Sequence, residues 1–230
     1  MRLACGIIAK DEELMFSKYL PNISEQFNKE IICLDFESKD NTNALASLYS
    51  TIVERHPWPN DFGKAKNMLI KVAQEKGYEW MFILDADESI PEGSISLIRQ
   101  IIEQNTHDIY YFPRLGFTSE NVIEGSSECF PDLQARLFKL NVGYHHREQV
   151  HTMLYKDKDE HCAWKMGYGA VIPIYIYHHV GAKPKIEQLT RIIRRDAMAK
   201  GFPRISKLEI EDNLDSFFNP VKPLKINLPK

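Results

Sequence analysis

Three short apolar runs in the first hundred residues are separated by longer stretches in which apolar positions recur at helical spacing. A run that is apolar at nearly every position is typical of a strand covered on both faces, and such strands belong to parallel sheets. Strands that alternate with helices predict a doubly wound, mostly parallel sheet, and hence an α/β fold. The three runs are RLACGII (2–8), EIICLD (30–35) and WMFIL (80–84).

The stretches between these runs predict helices. An amphipathic helix is expected after the first strand, extending to about Leu20, and a short helix after the second strand. Over residues 61–76 the apolar side chains form a single stripe, and Asp61 is the natural N-cap of this helix. Pro91 fits the first turn of a further helix over 92–104.

The pattern changes after Asp108, where the apolar runs become short. IYYFPRLGF, ARLFKL and AVIPIYIY predict a small added antiparallel or mixed layer. A helix is expected over 185–200, and the tail over 202–230, which contains several prolines, is expected to be extended. We therefore expect one domain over residues 1–201.

Polar side chains follow each strand of the predicted sheet. In doubly wound sheets, ligands bind beyond the carboxyl ends of the strands. That rule places three polar segments along one edge, where a binding site is expected. These segments are Ala9–Glu12, Asp35–Thr42 and Asp85–Glu88.

The third segment carries three carboxylates within four positions, in the stretch MFILDADE. Asp85 and Asp87 are two residues apart and would point the same way in an extended chain, which suits a hard cation such as Mg²⁺ or Mn²⁺. Alternatively, Asp87 and Glu88 stabilise the N-terminus of the following helix. The residues by themselves leave both interpretations open.

Composition excludes several classes of function. The net charge of −3, from 29 basic and 32 acidic residues, favours neither nucleic acid nor an anionic membrane as a partner. No apolar run approaches the about 20 residues of a transmembrane helix, and the N-terminus does not resemble a signal peptide. The four cysteines lack the spacing of a zinc or redox site, and Cys5 and Cys33 are expected to be reduced thiols in the core. These features predict a soluble cytoplasmic protein.

Five sequence blocks occur in order along the first part of the chain: AKDEE, LDFESKDNT, DFGKAKN, WMFILDADE and FPDLQARLFKL. Through these blocks the chain resembles family 2 glycosyltransferases of the GT-A fold over about residues 1–151. A weaker similarity continues into IYHHVG (176–181).

The resemblance implies that a sugar is transferred from a UDP-sugar to an unidentified acceptor, which could be a glycan, a protein or a small molecule. It also implies inversion at the anomeric carbon. It divides the domain into a nucleotide-sugar half, 1–105, and an acceptor and catalytic half, 106–201. In such a protein Asp40 would pair with the uracil edge. The side chains expected to bind the nucleotide sugar are those of Ala9, Glu12, Asp35, Ser38, Asp40, Lys66 and Asp85.

The resemblance further implies Mn²⁺ or Mg²⁺ as a cofactor. Asp87 would bind the metal directly, and Asp85 would serve the metal shell or the ribose. His151 would complete the metal shell or contact the diphosphate. His178 and His179 are weaker candidates, one of which is expected to face the core.

Three positions depart from the family pattern. Lys66 stands where arginine is usual, so it keeps the charge without bidentate phosphate geometry, and Asp11 replaces an asparagine. Thr152 stands where the family often carries the glutamate that takes a proton from the acceptor. For that catalytic base, Glu148 is the first candidate and Asp132 the second.

Two other functions remain open from the sequence. One is a non-catalytic protein that binds nucleotides or glycans on a transferase scaffold, which the departure at Thr152 favours. The other is a haloacid-type phosphatase, whose DxD pattern also ends an apolar strand. That family, however, carries the motif on its first strand and needs a downstream acid pair that the chain lacks.

Overall fold

The computed structural model describes residues 1–119, 122–123, 132–179, 181 and 183. Residues Met1–Lys183 form a compact unit. The helix predicted over 185–200 and the tail over 202–230 lie outside the described residues. No helix in the described part of the chain is both long and apolar enough to cross a membrane.

A mixed sheet forms the centre of this unit, and a separate hairpin lies beside it. The hairpin consists of β9 (Tyr144–Arg147) and β10 (Met153–Lys156), which pair antiparallel. The strands of the large sheet are β1 (Leu3–Ala9), β2 (Ile31–Asp35), β3 (Ile52–Arg55), β4 (Trp80–Asp85), β5 (Glu88–Ser89), β6 (Ile109–Ser119), β7 (Val122–Ile123), β8 (Asp132–Lys139), β11 (Ala170–Val171) and β12 (Ile176–His178).

The strand order is β3-β2-β1-β4-β8-β6-β12-β5, and β7 and β11 also pair with β6. The first four strands in this order are parallel, which confirms the parallel arrangement predicted for β1, β2 and β4. β8 then pairs antiparallel with both β4 and β6, which makes the sheet mixed. The α/β fold with an added antiparallel part is therefore confirmed. β3 was not predicted, because its sequence IVER is only half apolar and none of its side chains is fully buried.

Four helices lie in the described part of the chain: α1 (Glu13–Gln26), α2 (Thr42–Tyr49), α3 (Phe62–Glu75) and α4 (Ser94–Gln104). The expected end of α1 near Leu20 was wrong, because the helix continues through Pro21 and buries Ile23 on its last turns. The expected start of α4 was also wrong. Gly93 has a left-handed conformation with φ of 80°, so the helix begins after it and Pro91 lies outside the first turn.

The strands bury alternate side chains on opposite faces of the sheet. Trp80, Phe82 and Leu84 of β4 pack on the face covered by α1 and α4. Met81 and Ile83 pack on the other face, against α3. Cys5 and Cys33 are buried free thiols, as predicted. The central strands are thus held from both sides, and this fixes the positions of the loops at their carboxyl ends.

Candidate functional site

The carboxyl ends of β1, β2 and β4 lie side by side, as the sequence predicts. Ala9 pairs with Asp35 in the register of β1 and β2, and Ile8 pairs with Asp85 in that of β1 and β4. The three polar segments therefore meet at one edge of the sheet.

Asp35 anchors the loop after β2. Its side chain is fully buried and accepts hydrogen bonds from the Ser38 N–H at 3.0 Å and from Asn43 Nδ2 at 3.2 Å. Ser38 Oγ in turn accepts from the Asp11 N–H at 2.9 Å. Asp35 and Ser38 thus shape the edge of the predicted nucleotide pocket. Direct contact of either residue with a nucleotide stays a prediction.

Asp40 connects this loop to the beginnings of two helices. Its Oδ2 accepts from the Glu13 N–H at the start of α1, and its Oδ1 accepts from the N–H and hydroxyl of Thr42 at the start of α2. Partial burial raises the pKa of Asp40, but the hydrogen bonds from Thr42 and Glu13 lower it more, so the net shift is downward. The carboxylate is therefore ionised at neutral pH and remains exposed at the edge.

We expect Asp40→Ala to weaken UDP binding and to lower the free energy of unfolding by about 1 kcal/mol, because two helices lose a capping carboxylate. The pKa of Asp40 is depressed by folding, so its stabilising effect is present above the unfolded pKa and is lost as pH falls through the folded one. Urea unfolding at neutral and acidic pH should therefore show that the free energies of unfolding of the wild type and of Asp40→Ala become similar in acid. Equal UDP affinity for the wild type and Asp40→Ala would show that Asp40 does not bind the uracil.

The acidic triplet does not lie in extended chain, and this corrects the expectation that Asp85 and Asp87 point the same way. β4 ends at Asp85, residues 86–87 form a turn, and Glu88 begins β5. The capping alternative is also wrong, since α4 begins only at Ser94 and Glu88 pairs with His178 in the sheet.

Each carboxylate of the triplet lies beside basic side chains, and Asp85 and Glu88 share Arg136. Asp85 Oδ1 lies 3.3 Å from Lys66 Nζ, and Asp85 Oδ2 accepts from Arg136 Nη2 at 2.9 Å. Burial would raise the pKa of Asp85, but Arg136 and Lys66 together lower it strongly. Lys66, predicted on the nucleotide-sugar side, therefore reaches the acidic edge and helps to keep Asp85 ionised.

Glu88 and Arg136 form a buried pair beneath this edge. Arg136 Nη2 lies 2.5 Å from Glu88 Oε1, and the arginine is only 3% exposed. Burial raises the pKa of Glu88, and Asp85 raises it further. Sequence reasoning missed Arg136, although an arginine inside the apolar block ARLFKL was a signal that could have found it.

Asp87 lies on the other side of the turn and contacts different side chains from those beside Asp85 and Glu88. Its Oδ1 is 3.6 Å from His178 Nε2, and its Oδ2 is 3.5 Å from Lys183 Nζ. Lys183 is 2% exposed and also lies 2.5 Å from Glu12 Oε2. His179, in contrast, stacks on Tyr19 with ring centroids 3.9 Å apart, and both histidines are partly buried.

The block DFGKAKN positions α3 against the β9–β10 hairpin. The Asp61 side chain caps the helix by accepting from the Lys64 N–H at 2.8 Å, as predicted. At Gly63 a Cβ atom would lie 2.8 Å from the backbone oxygen of Glu148, so the close approach requires glycine. Asn67 then bonds both backbone groups of His146, at 2.8 and 2.7 Å.

A cavity of about 300 Å³ opens beside Asp85, between β8 and the hairpin. Both Asp132 and Thr152, the position where the family often carries its catalytic glutamate, line it. The lining residues are Lys66, Ile83, Tyr111, Asp132, Leu133, Gln134, Ala135, Arg136, His146, Thr152, Met153, Leu154, Cys162 and Trp164.

The other two candidates of this region, Glu148 and His151, are exposed residues of the hairpin and do not line the cavity. Glu148 accepts from the Met153 N–H at 3.0 Å and from the Tyr155 hydroxyl at 2.7 Å. The structure therefore gives Glu148 a role in holding the hairpin together. Its role as base and that of His151 as metal ligand stay predictions.

The implied metal can be tested against the donor atoms at the edge. Within the described residues, no three His, Cys, Asp or Glu side chains are grouped to hold a metal ion. Asp87 and His178 nevertheless offer an oxygen and a nitrogen 3.6 Å apart. Ions of the Mg²⁺ class often take only one or two protein ligands and complete their shell with water and substrate phosphates. The residues thus fit a cation shared with a diphosphate.

Comparison with known proteins gives consistent results. The profile described as Glycosyl transferase family 2 matches residues 5–166, more than half of the chain. The chain is 26% identical over 201 residues to the SPbeta prophage-derived glycosyltransferase SunS of Bacillus subtilis (strain 168). That match covers 84% of this chain and 43% of SunS, so the chain spans less than half the length of this relative.

The fold is shared with solved structures of low sequence identity. S. aureus TarS superimposes with a TM-score of 0.56 at 15% identity, over 95% of this chain and 43% of the TarS chain. A shorter TarS structure in complex with UDP-GlcNAc gives a TM-score of 0.54 at 14% identity, over 95% of this chain and 72% of that one. These similarities confirm the GT-A fold predicted from the sequence.

Proposed function

The chain belongs to glycosyl transferase family 2, and from this membership we propose that it transfers the sugar of a UDP-linked donor to an acceptor, with inversion at the anomeric carbon. The observation that carries the proposal is the position of the acidic turn, between the loop of Asp40 on one side and the cavity on the other. The TarS complex with UDP-GlcNAc, which shares the fold, supports a UDP-sugar as donor. The haloacid-type phosphatase alternative is wrong, because the family match covers the acidic motif.

In this proposal the nucleotide lies along the carboxyl ends of β1 and β2. The exposed Asp40 carboxylate accepts a hydrogen bond from the uracil edge, and Glu12 and Ala9 border the nucleotide. Lys66 and Lys183, which contact Asp85 and Asp87, supply positive charge where the diphosphate arrives. Such charge stabilises the leaving diphosphate more than the intact donor, and this difference accelerates the transfer.

Asp87 and His178 would hold a Mn²⁺ or Mg²⁺ ion at this edge. When bound, the ion supplies positive charge to the departing diphosphate. Asp85 remains ionised through Arg136 and Lys66, so it keeps these two cations in place beside the cavity. Sequence reasoning ranked His178 below His151, because the proximity of His178 to Asp87 arises only when β12 pairs with β5.

We propose Asp132 as the catalytic base in preference to Glu148, because Asp132 lines the cavity and Glu148 does not. Asp132 Oδ2 pairs with the Arg114 guanidinium, and Asp132 Oδ1 accepts from Gln134 Nε2 at 2.6 Å. These contacts fix the orientation of the carboxylate. Oδ1 keeps a second lone pair, which can take the acceptor proton.

We expect Asp132→Asn to lower the turnover of a UDP-sugar by about 100-fold or more while its UDP affinity stays unchanged, because an amide cannot take the proton. The assay is release of UDP from UDP-GlcNAc, with calorimetric titration of UDP as the binding measurement. Glu148→Gln is the comparison variant. A larger loss of turnover in that variant than in Asp132→Asn would restore Glu148 as the base.

Titration of UDP in the presence of Mn²⁺, and again with EDTA, tests the proposed function directly. Binding followed by UDP release from UDP-GlcNAc, or from another UDP-hexose, supports a transferase. Binding without turnover of any UDP-hexose would favour the non-catalytic alternative, which the threonine at position 152 in the cavity keeps open. Absence of UDP binding under either condition would contradict both.

A further inference from the structure

A lysine ammonium lies between two buried carboxylates at the edge that carries the acidic turn. Lys183 Nζ is 2.5 Å from Glu12 Oε2 and 3.5 Å from Asp87 Oδ2. The side chains of Lys183, Glu12 and Asp87 are 2%, 8% and 4% exposed, so water hardly reaches this bridge. Lysine is almost never buried to this degree unless it is paired, because removing an ammonium from water is costly. Glu12 and Asp87 therefore stabilise the charge of Lys183 inside the protein.

The bridge changes how a divalent cation would interact with Asp87. The ammonium of Lys183 cancels one of the two negative charges of Glu12 and Asp87. The attraction of a cation to this place grows with the negative charge that remains uncompensated, and it is strongest where water is excluded. Without nucleotide, Lys183 therefore lowers the affinity of Asp87 and His178 for a metal ion, because it already supplies positive charge there.

Glu12 connects this bridge to the loop that is expected to bind the uracil. The Glu12 N–H donates to Thr42 Oγ1 at 2.7 Å, and the Thr42 hydroxyl donates to Asp40 Oδ1. Contacts thus run without interruption from Asp40 through Thr42, Glu12 and Lys183 to Asp87. A nucleotide that binds between Asp40 and Asp87 would therefore meet residues in contact with the ammonium.

A diphosphate is a competing partner for this ammonium. It carries more negative charge than a carboxylate and offers several acceptor oxygens to the three N–H donors of a lysine. Once Lys183 donates to a diphosphate, it no longer cancels the charge of Asp87, which becomes available to a metal ion. Binding of the nucleotide and of the metal ion at this edge would then strengthen each other by the same factor, because such coupling is reciprocal.

We propose that Lys183 is an internal counter-cation, which holds Glu12 and Asp87 in the protein without nucleotide and moves to the diphosphate when the donor binds. Lys183 thereby keeps a divalent ion from Asp87 until a nucleotide diphosphate is present, so the ion and the donor bind together. The inference rests on the proposed function, because it specifies how the affinities for the nucleotide and for the ion depend on each other.

The test uses Lys183→Met, which removes the ammonium and keeps an unbranched side chain. Without nucleotide, this variant is expected to bind Mn²⁺ at least about 10-fold more tightly than the wild type, because Glu12 and Asp87 lose their counter-charge. With EDTA, it is expected to bind UDP at least about 10-fold more weakly, because the diphosphate loses the ammonium. The two changes have opposite signs, whereas a purely structural role of Lys183 would weaken both kinds of binding.

Three further variants separate charge from structure. Lys183→Arg keeps the positive charge and should bind Mn²⁺ without nucleotide as weakly as the wild type does. Lys139→Met is the matched control, because it removes a lysine that pairs with Asp108 and lies beside Trp80, at the opposite end of β4 from the acidic turn. It should change neither affinity. Lys183→Gln is a second neutral variant, whose amide can still donate to Glu12 and so supports folding.

Circular dichroism checks the fold of each variant, and calorimetry measures the affinity for Mn²⁺ without nucleotide and for UDP with Mn²⁺ or EDTA. Unchanged or weaker Mn²⁺ binding in the neutral variants would overturn the inference. Unchanged UDP affinity with EDTA in those variants, or tighter Mn²⁺ binding in Lys183→Arg, would also overturn it. If neither neutral variant folds, Lys183 is a structural residue and the inference is wrong.

Failure of the wild-type protein to bind UDP under either condition is a separate result, which contradicts the proposed function. In that case the Mn²⁺ titrations without nucleotide still test whether Lys183 keeps a divalent ion from Asp87. Tighter Mn²⁺ binding in Lys183→Met than in the wild type would support that part of the inference even then. The two proposals can therefore fail independently.

Discussion

The Asp87→Asn variant is expected to lose the Mn²⁺-dependent part of UDP binding and to release UDP from a UDP-sugar about 100- to 1,000-fold more slowly. Asp87 is paired with an imidazole, with 3.6 Å between His178 Nε2 and Asp87 Oδ1. Replacing one carboxylate oxygen by an amide nitrogen would remove a negative ligand from the proposed cation and leave the side-chain shape nearly unchanged. The developing charge on the diphosphate then loses its main partner.

The measurement is calorimetric titration of UDP with Mn²⁺ and with EDTA, together with Mn²⁺ binding in the absence of nucleotide. Asp108→Asn is the matched control, because that carboxylate pairs with Lys139 and Lys156 away from the acidic turn. The control should behave as the wild type. Unchanged Mn²⁺-dependent UDP affinity in Asp87→Asn would remove Asp87 from the metal site.

The largest effect on stability is expected from Arg136→Met. Methionine replaces the aliphatic stem of the arginine but leaves Glu88, which is fully buried, and Asp85 without the guanidinium that lies 2.5 and 2.9 Å from them. Breaking a buried ion pair from one side typically costs about 3–5 kcal/mol. Because Lys66 still lies 3.3 Å from Asp85 and Arg114 Nη1 lies 3.6 Å from Glu88, we expect a loss near the lower end of that range. Urea unfolding followed by circular dichroism measures this loss.

A double variant and a control variant identify the cause of the stability loss in Arg136→Met. Arg136→Met combined with Glu88→Gln should recover part of the lost stability, since the buried charge is gone. Lys71→Met removes a positive charge from the exposed pair with Glu75 and should cost less than about 1 kcal/mol. If the double variant is less stable than Arg136→Met, the loss does not come from the unpaired carboxylate.

The pH dependence of the free energy of unfolding gives an independent check of the Glu88–Arg136 pair. Burial already raises the pKa of Glu88 in the wild type, and loss of Arg136 should raise it further. A group whose pKa is raised by folding contributes stability that is lost as pH rises through the folded pKa. The difference in the free energy of unfolding between Arg136→Met and the wild type should therefore shrink as the pH is lowered from neutral, because protonation of Glu88 removes the buried charge. A difference that does not change with pH would contradict this account.

Local features of the sequence were sufficient to predict the central parallel strands and the helix α3. Continuous apolar runs predicted β1, β2 and β4, because a strand covered on both faces needs apolar side chains at every position. The stripe over 61–76 and the capping Asp61 predicted α3. These signals depend on neighbours a few residues apart, which sequence periodicity records directly. The parallel pairing of these strands places the three polar segments at one edge of the sheet.

The tertiary structure alone decided which side chains complete the site. Arg136 reaches Asp85 across 51 positions, and Lys183 reaches Glu12 across 171. No periodicity records such separations, because these contacts arise only when β8 inserts antiparallel beside β4 and when Lys183 lies beside Glu12 in the folded chain. For the same reason Asp132 lines the cavity while Glu148 braces the hairpin. The sequence by itself determined the fold and the acidic edge, and long-range packing decided the partners of each carboxylate.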